Sequence, residues 1–186
     1  MNKVLKWFII LLPVLTLLLF FIIVSFLPNK YNDVEKIKTK EVVTKDSRIT
    51  FVVDEKYAQE EKGEYDLYLN KNKSQIIGVF TYNLNEFEEN SGKEVLDKQI
   101  NNFIANKKDI QLFKKELVIE DNDKKITKVE YSGKTEKSDE CIYIFSIIEF
   151  KSDPNYVAYV TEVIAKNDYE DNISEMIDII KNVRLN

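Results

Sequence analysis

The hydrophobic pattern divides the chain into one unbroken apolar run and a long stretch of shorter periods. Between Lys6 and Lys30 lie 23 residues without charge, and 7–27 are almost wholly Ile, Leu, Phe and Val, with Thr16 and Ser25 as polar breaks. At about 1.5 Å rise per residue such a run crosses a hydrocarbon core of about 30 Å as one helix, with Trp7, Lys6 and Lys30 suited to headgroup depth. A cleaved signal peptide shares the basic start and the apolar run. The exit Ile23-Val24-Ser25-Phe26-Leu27-Pro28 offers no small-x-small cleavage site, and the run exceeds the usual signal core, which favours a retained anchor. The expected layout is a cytoplasmic head (1–6), a transmembrane signal anchor held in the lipid bilayer (7–27), a spacer (28–46) and an extracytoplasmic domain (47–186). That layout describes a single-pass protein of the cell membrane.

Beyond the spacer, whose Val42-Val43 pair hints at a first edge strand, the period shortens to two. Ile49, Phe51 and Val53 share one face of an opening strand. Strands at 65–69 and 75–82, joined by the polar Asn70-Lys71-Asn72-Lys73-Ser74, read as a hairpin. The period then changes to 3.6: Val95, Leu96, Gln99, Ile100, Phe103 and Ile104 form a stripe, and Ser91 with Glu94 makes a capping box, so a helix runs near 92–106. Strands follow at 111–120 and 125–132, the second with Lys128 and Glu130 on a face expected to meet water. The run 141–150 is apolar on both faces and predicts a central strand covered on each side. Asp153-Pro154-Asn155 reads as a turn, 156–165 as a returning strand, and Asp168 as the cap of a helix carrying Ile173, Met176, Ile177 and Ile180 with Lys181 and Arg184 near its end. The predicted fold class is α+β: an antiparallel sheet of six to seven strands with an amphipathic helix on each face, preceded by one transmembrane helix.

Composition narrows the chemistry. The whole chain contains no His and one Cys, which removes Ser-His-Asp and Cys-His hydrolysis, disulfide frameworks and the common zinc cages. After residue 30 there are 24 bases against 32 acids, and only Arg48 and Arg184 are arginines. The pairs Lys107-Lys108, Lys114-Lys115 and Lys124-Lys125 therefore belong to an acidic domain that repels a polyanion at long range, and no nucleic-acid partner is expected. Cys141 starts a buried strand without a base beside it and reads as a structural thiol. Glu120-Asp121-Asn122-Asp123 fails the EF-hand register, with Ile126 where Gly is needed and Ser132 where Glu is needed, and reads as an acidic turn. No catalytic residue, cofactor or metal site is predicted. Asn85, Glu86, Glu88 and Glu89, in a long connection before the first helix, form the candidate partner-contact loop. Tyr65, Tyr68, Tyr82, Tyr131, Tyr143, Tyr156 and Tyr159 all fall on strands; they suit a half-buried sheet face or, alternatively, an aromatic groove for a peptide or glycan.

Residues 49–185 resemble the family that contains the photosystem extrinsic protein PsbP and the Ran-binding protein Mog1. The resemblance rests on the opening strand Ile49-Thr50-Phe51-Val52-Val53 with Tyr57 after it, the hairpin, the single helix, the strand meander, and a closing helix running into Asn182-Val183-Arg184-Leu185. It implies a binding scaffold in place of an enzyme, and no functional residue is carried over. The expected function is a membrane-anchored, non-enzymatic extracytoplasmic module that binds a protein or an envelope component. The rivals are a carboxylate-dependent hydrolase of envelope polymers working through Glu86 or Glu88, and an accessory subunit of a membrane complex.

Overall fold

The computed structural model describes residues 38–186 apart from 73, 87 and 138. The head, the membrane span and the spacer up to residue 37 lie outside the described residues. Among the described residues, no helix is long and apolar enough to cross a membrane. The folded unit begins inside the stretch read as spacer: β1 (Thr39–Val43) pairs antiparallel with β2 (Ile49–Asp54), Val42 opposite Phe51.

Among the described residues, ten strands form two sheets. The larger is wholly antiparallel and built from β3 (Ala58–Gln59), β4 (Leu67–Lys71), β5 (Gln75–Asn83), β6 (Gln111–Glu120), β7 (Lys124–Lys134), β8 (Glu140–Phe150) and β9 (Asp153–Ala165), in the order β3-β4-β5-β9-β8-β7-β6. The expected opening strand does not join it. Instead β2 is the middle of a separate sheet of three, between β1 and β10 (Arg184–Leu185). The closing helix thus ends before Arg184, whose guanidinium reaches Glu41 on β1 at 2.5 Å.

Helix α1 (Gly92–Ala105) starts as its capping box predicts: Ser91 Oγ accepts from the Glu94 N–H at 3.3 Å, while the Glu94 carboxylate accepts from the Asn90 N–H at 2.8 Å. It buries Val95, Leu96 and Ile100 against Cys141, Tyr143, Phe145 and Ile147, each such side chain contributing about 1.5–3 kcal/mol. Helix α2 (Tyr169–Lys181) covers the opposite face with Met176, Ile179 and Ile180, together with Phe51 and Val53 of the small sheet. A single 3₁₀ turn, Lys166–Asp168, leads into it, and the Asp168 side chain makes no cap, since that turn already holds its backbone in helical geometry. Strand β8 is covered on both sides, as its two apolar faces require.

Two local expectations fail for identifiable reasons. Phe150 pairs with Asp153 across Lys151 and Ser152, so the turn is two residues earlier than Pro154 suggests, and Pro154 occupies an irregular strand start that needs no N–H. On β7, Lys128 and Glu130 do not face water; they are 4% and 1% exposed. They pair with each other, and the Tyr169 hydroxyl donates to Glu130 Oε2 at 2.5 Å, so their charges are satisfied internally.

Candidate functional site

The two faces of the large sheet differ in what their covers leave open. Helix α1 packs mainly on β8, and beside it the face of the sheet is lined by rings. Tyr68, Tyr65 and Phe80 follow one another at centroid distances of 5.3 and 4.5 Å, Phe80 meets Tyr159 at 6.1 Å, and Tyr159 stacks on Phe145 at 6.4 Å. From the helix, Phe103 closes the series against Tyr143 and Phe145 at 4.7 and 5.0 Å. Between Phe103 and the pair Tyr65–Phe80 runs a groove of about 490 Å³, with Gln99, Asn102, Asn106 and Lys107 along the helix side.

The local sequence builds this groove in three steps. Gly78 lies under Tyr65, and a Cβ there would stand 2.3 Å from the ring edge, so only glycine lets the ring lie on the strand. Asp66 fixes the segment carrying Tyr65, its Oδ2 accepting from the Thr81 N–H at 2.7 Å and the Thr81 hydroxyl at 2.9 Å. At the C-terminal end of α1, Asn106 Nδ2 donates to the Asn102 carbonyl at 2.8 Å, and Asn106 is the C-cap. Tyr65, Phe80 and Phe103 are half-buried, whereas Tyr143 and Tyr159 beneath them are 5% and 4% exposed. Burial raises the Tyr143 and Tyr159 hydroxyls above the ordinary tyrosine value, so both stay neutral. Among the described residues no carboxylate lines the groove and Lys107 is its one charge, with its ammonium 5.9 Å from the Phe103 ring centre.

Of the seven tyrosines expected on strands, Tyr65 lies just before β4 and lines the groove with Tyr143 and Tyr159, and Tyr68 supports it through Tyr65. Tyr82 adjoins it, accepting at its hydroxyl from Gln99 Nε2 at 3.0 Å, and Tyr131 packs on Phe145 at 6.0 Å. Tyr156 falls on the opposite face, under the Arg48 guanidinium at 3.7 Å, because its position along β9 has the other parity. Periodicity placed Phe103 on the helix stripe and Phe80 in a strand, but nothing in it brings the two together. An isolated Gly inside a strand was the available signal for the close approach of Tyr65.

The candidate loop lies between β5 and α1, Leu84–Glu86 forming one 3₁₀ turn. Asn83 Nδ2 donates to Glu86 at 2.7 Å, the Asn85 N–H donates to Asn83 Oδ1 at 3.3 Å, and Glu89 is paired with Lys98. The hydrogen bond from Lys98 holds the Glu89 carboxyl below the usual carboxylate range. Glu88 is exposed. Elsewhere, Cys141 is 1% exposed, its thiol donating to the Gly133 carbonyl at 3.7 Å and raised by burial. The acidic run forms a turn in which Asp121 Oδ1 accepts from the N–H groups of Asp123 and Lys124 at 2.8 and 2.9 Å. The lysine pairs are dispersed: Lys107 lines the groove, Lys114 donates to the Tyr169 hydroxyl at 2.7 Å, and Lys124 donates to the Val183 carbonyl at 2.8 Å.

No family model matches the chain, and no curated protein matches it. Solved structures do. The cyanobacterial PsbP protein CyanoP of Synechocystis superimposes with a TM-score of 0.57 at 8% identity, covering 83% of this chain and 96% of its own. The Ran-binding protein Mog1p of Saccharomyces cerevisiae superimposes with a TM-score of 0.53, also at 8% identity, covering 80% of this chain and 96% of its own. The chain has the PsbP/Mog1-like fold.

Proposed function

We propose that this PsbP/Mog1-like domain is a non-enzymatic binding module, carried on the membrane by residues 7–27 with the domain on the extracytoplasmic side, and that its partner docks in the aromatic groove. The observation that carries the reading is the groove itself: half-buried rings on a rigid sheet, with amide side chains along one wall, make a recognition surface of the usual kind. The uncharged 7–27 run supports the anchor. Asn85, Glu86, Glu88 and Glu89 are a second contact, Glu89 being paired with Lys98 on α1.

Binding is favoured over hydrolysis because Glu86 accepts from Asn83, Glu89 is paired with Lys98, and Glu88 is exposed, where nothing desolvates it. A general acid needs its carboxyl raised, and Glu89 is lowered. Mog1p is a Ran-binding protein, and the shared fold gives a protein partner a footing beside an envelope component.

A photo-activated side chain at Asn102, in the full chain in its native membrane, tests the reading. The expected result is a discrete adduct that is lost in Tyr65→Ala and absent when the probe stands at Asp171 on α2. Equal labelling from both positions, or none from Asn102, contradicts it.

A further inference from the structure

We propose that the buried polar cluster beneath α2 is a one-proton switch that sets whether α2 stays shut on the sheet. Register assembles the cluster. Glu130 on β7, Ile144 on β8 and Glu162 on β9 stand in one row across the sheet, and Lys128, Ser146 and Val160 stand in the next, on the face that α2 covers. Lys128, Glu130, Ser146 and Glu162 are all buried, so two carboxylates share one ammonium in an enclosed space. Glu130 holds the available donors, the Lys128 ammonium and the Tyr169 hydroxyl from the start of α2. Ser146 Oγ and both Glu162 oxygens have no hydrogen-bond partner among the described residues.

With every group ionised the cluster would carry one negative charge in excess, away from water, which is a costly state. One proton removes the excess, and it belongs on Glu162 because Glu130 already has its donors. Burial pushes the Glu162 carboxyl up to about 8, Lys128 opposing the rise and Glu130 adding to it.

The elements packed around the cluster supply no second cation. Lys124, further along the same face of β7, donates to the Val183 carbonyl at 2.8 Å, and Lys114 on β6 donates to the Tyr169 hydroxyl at 2.7 Å. After β2, Tyr57 donates to Met176 Sδ at 3.3 Å, its phenol held above the ordinary tyrosine value by burial and by Glu175, Glu162 and Asp54. Lys71, over the Tyr57 ring, is paired with Asp54 and Glu175 at 3.3 and 2.8 Å. On α2, Glu170 acts on Tyr169 and adds only negative charge, while Gln75 and Ile77 on β5 carry none.

As pH rises through about 8, Glu162 gives its proton to solvent and both carboxylates are ionised. Lys128 is then drawn past Ser146, its cross-strand neighbour, toward Glu162, and the remaining excess charge is relieved by admitting water. The strands beneath are held by continuous ladders, whereas α2 rests on the sheet through Tyr169, Met176, Ile179 and Ile180. The element that parts is therefore α2, together with β10 behind it.

Hydrogen exchange of the full chain in detergent at pH 6 and pH 9, corrected for the chemical exchange rate and repeated in low urea, tests the switch. Amides of α2 and β10 are expected to lose about ten-fold or more of their protection at pH 9. Their exchange should respond little to urea, the mark of a local opening, while the most protected amides of α1 follow the slope of global unfolding. Glu162→Gln should flatten the pH response, and so should Glu130→Gln, because either variant leaves one carboxylate for the one ammonium. The second variant carries the test if the first does not fold. A pH response that persists undiminished in a folded Gln variant overturns the proposal, as does an α2 whose exchange has the same urea slope as α1 at both pH values.

Discussion

The two faces of the large sheet are covered to different extents. Beneath α2 and the small sheet the filling is closed: Phe51, Tyr57, Ile77, Ile142, Ile144, Val160 and Ile164 are each 0% exposed, and even charged groups are enclosed there. Beneath α1 the filling is aromatic, and the helix leaves part of it uncovered. Rings tolerate this division better than branched aliphatics, because a ring can bury its edge in the sheet and still present a face to a ligand. On the proposed reading, the difference puts stability on one side and recognition on the other.

The closed side holds its charges by pairing them. Replacing Lys128 with Met would leave Glu130 buried with the Tyr169 hydroxyl alone, and is expected to cost about 3–5 kcal/mol in urea unfolding. A milder outcome would mean that this face admits water. Glu162 is the next largest effect. Its carboxyl is fully enclosed with neither oxygen hydrogen-bonded, and burial, partly offset by Lys128, pushes it up to about 8. A carboxyl raised in this way stabilises fully below its unfolded value near 4.5, and that stability is lost as pH rises through about 8. Unfolding curves at mildly acidic and mildly alkaline pH are expected to differ by on the order of 3 kcal/mol, and Glu162→Gln to abolish most of that difference.

The open side should respond in the reverse sense, with binding lost ahead of stability. Gly78→Ala forces the Tyr65 ring off the strand and is expected to cost about 1–2 kcal/mol while abolishing the Asn102 adduct. Retention of the adduct would detach Tyr65 from recognition. The smallest effect is Ser91→Ala at the start of α1, about 1 kcal/mol in thermal unfolding with the groove intact, since the cap stands at the far end of the helix from Asn102 and Lys107.

Much of this division is legible in local sequence. Alternation gives the hairpin, the meander and the doubly covered β8, and Ser91 with Glu94 marks where α1 begins, because each of these depends on residues close in the chain. The small sheet is not legible: Leu185 pairs with Ile49, and two residues at the chain's end carry no strand period. Lys128 and Glu130 mislead for a related reason. Alternating charge resembles a wetted face until the pairing of β6 and the arrival of Tyr169 enclose it. The tyrosines were visible as a set, but the groove needs Gly78, Phe80 and Phe103 as well, and which rings share a face depends on the register of four strands.

Carbene footprinting of the full chain, once in its native membrane and once after purification in detergent, tests the assignment of recognition to the aromatic face most directly. Tyr65, Phe80, the α1 residues Asn102 and Phe103, and the C-cap Asn106 are expected to be shielded in the membrane and labelled after purification, with the exposed outer residues of α2 unchanged. Groove residues labelled equally in both states, with shielding confined to Leu112, Phe113, Leu117 and Val118 on β6, would contradict the account.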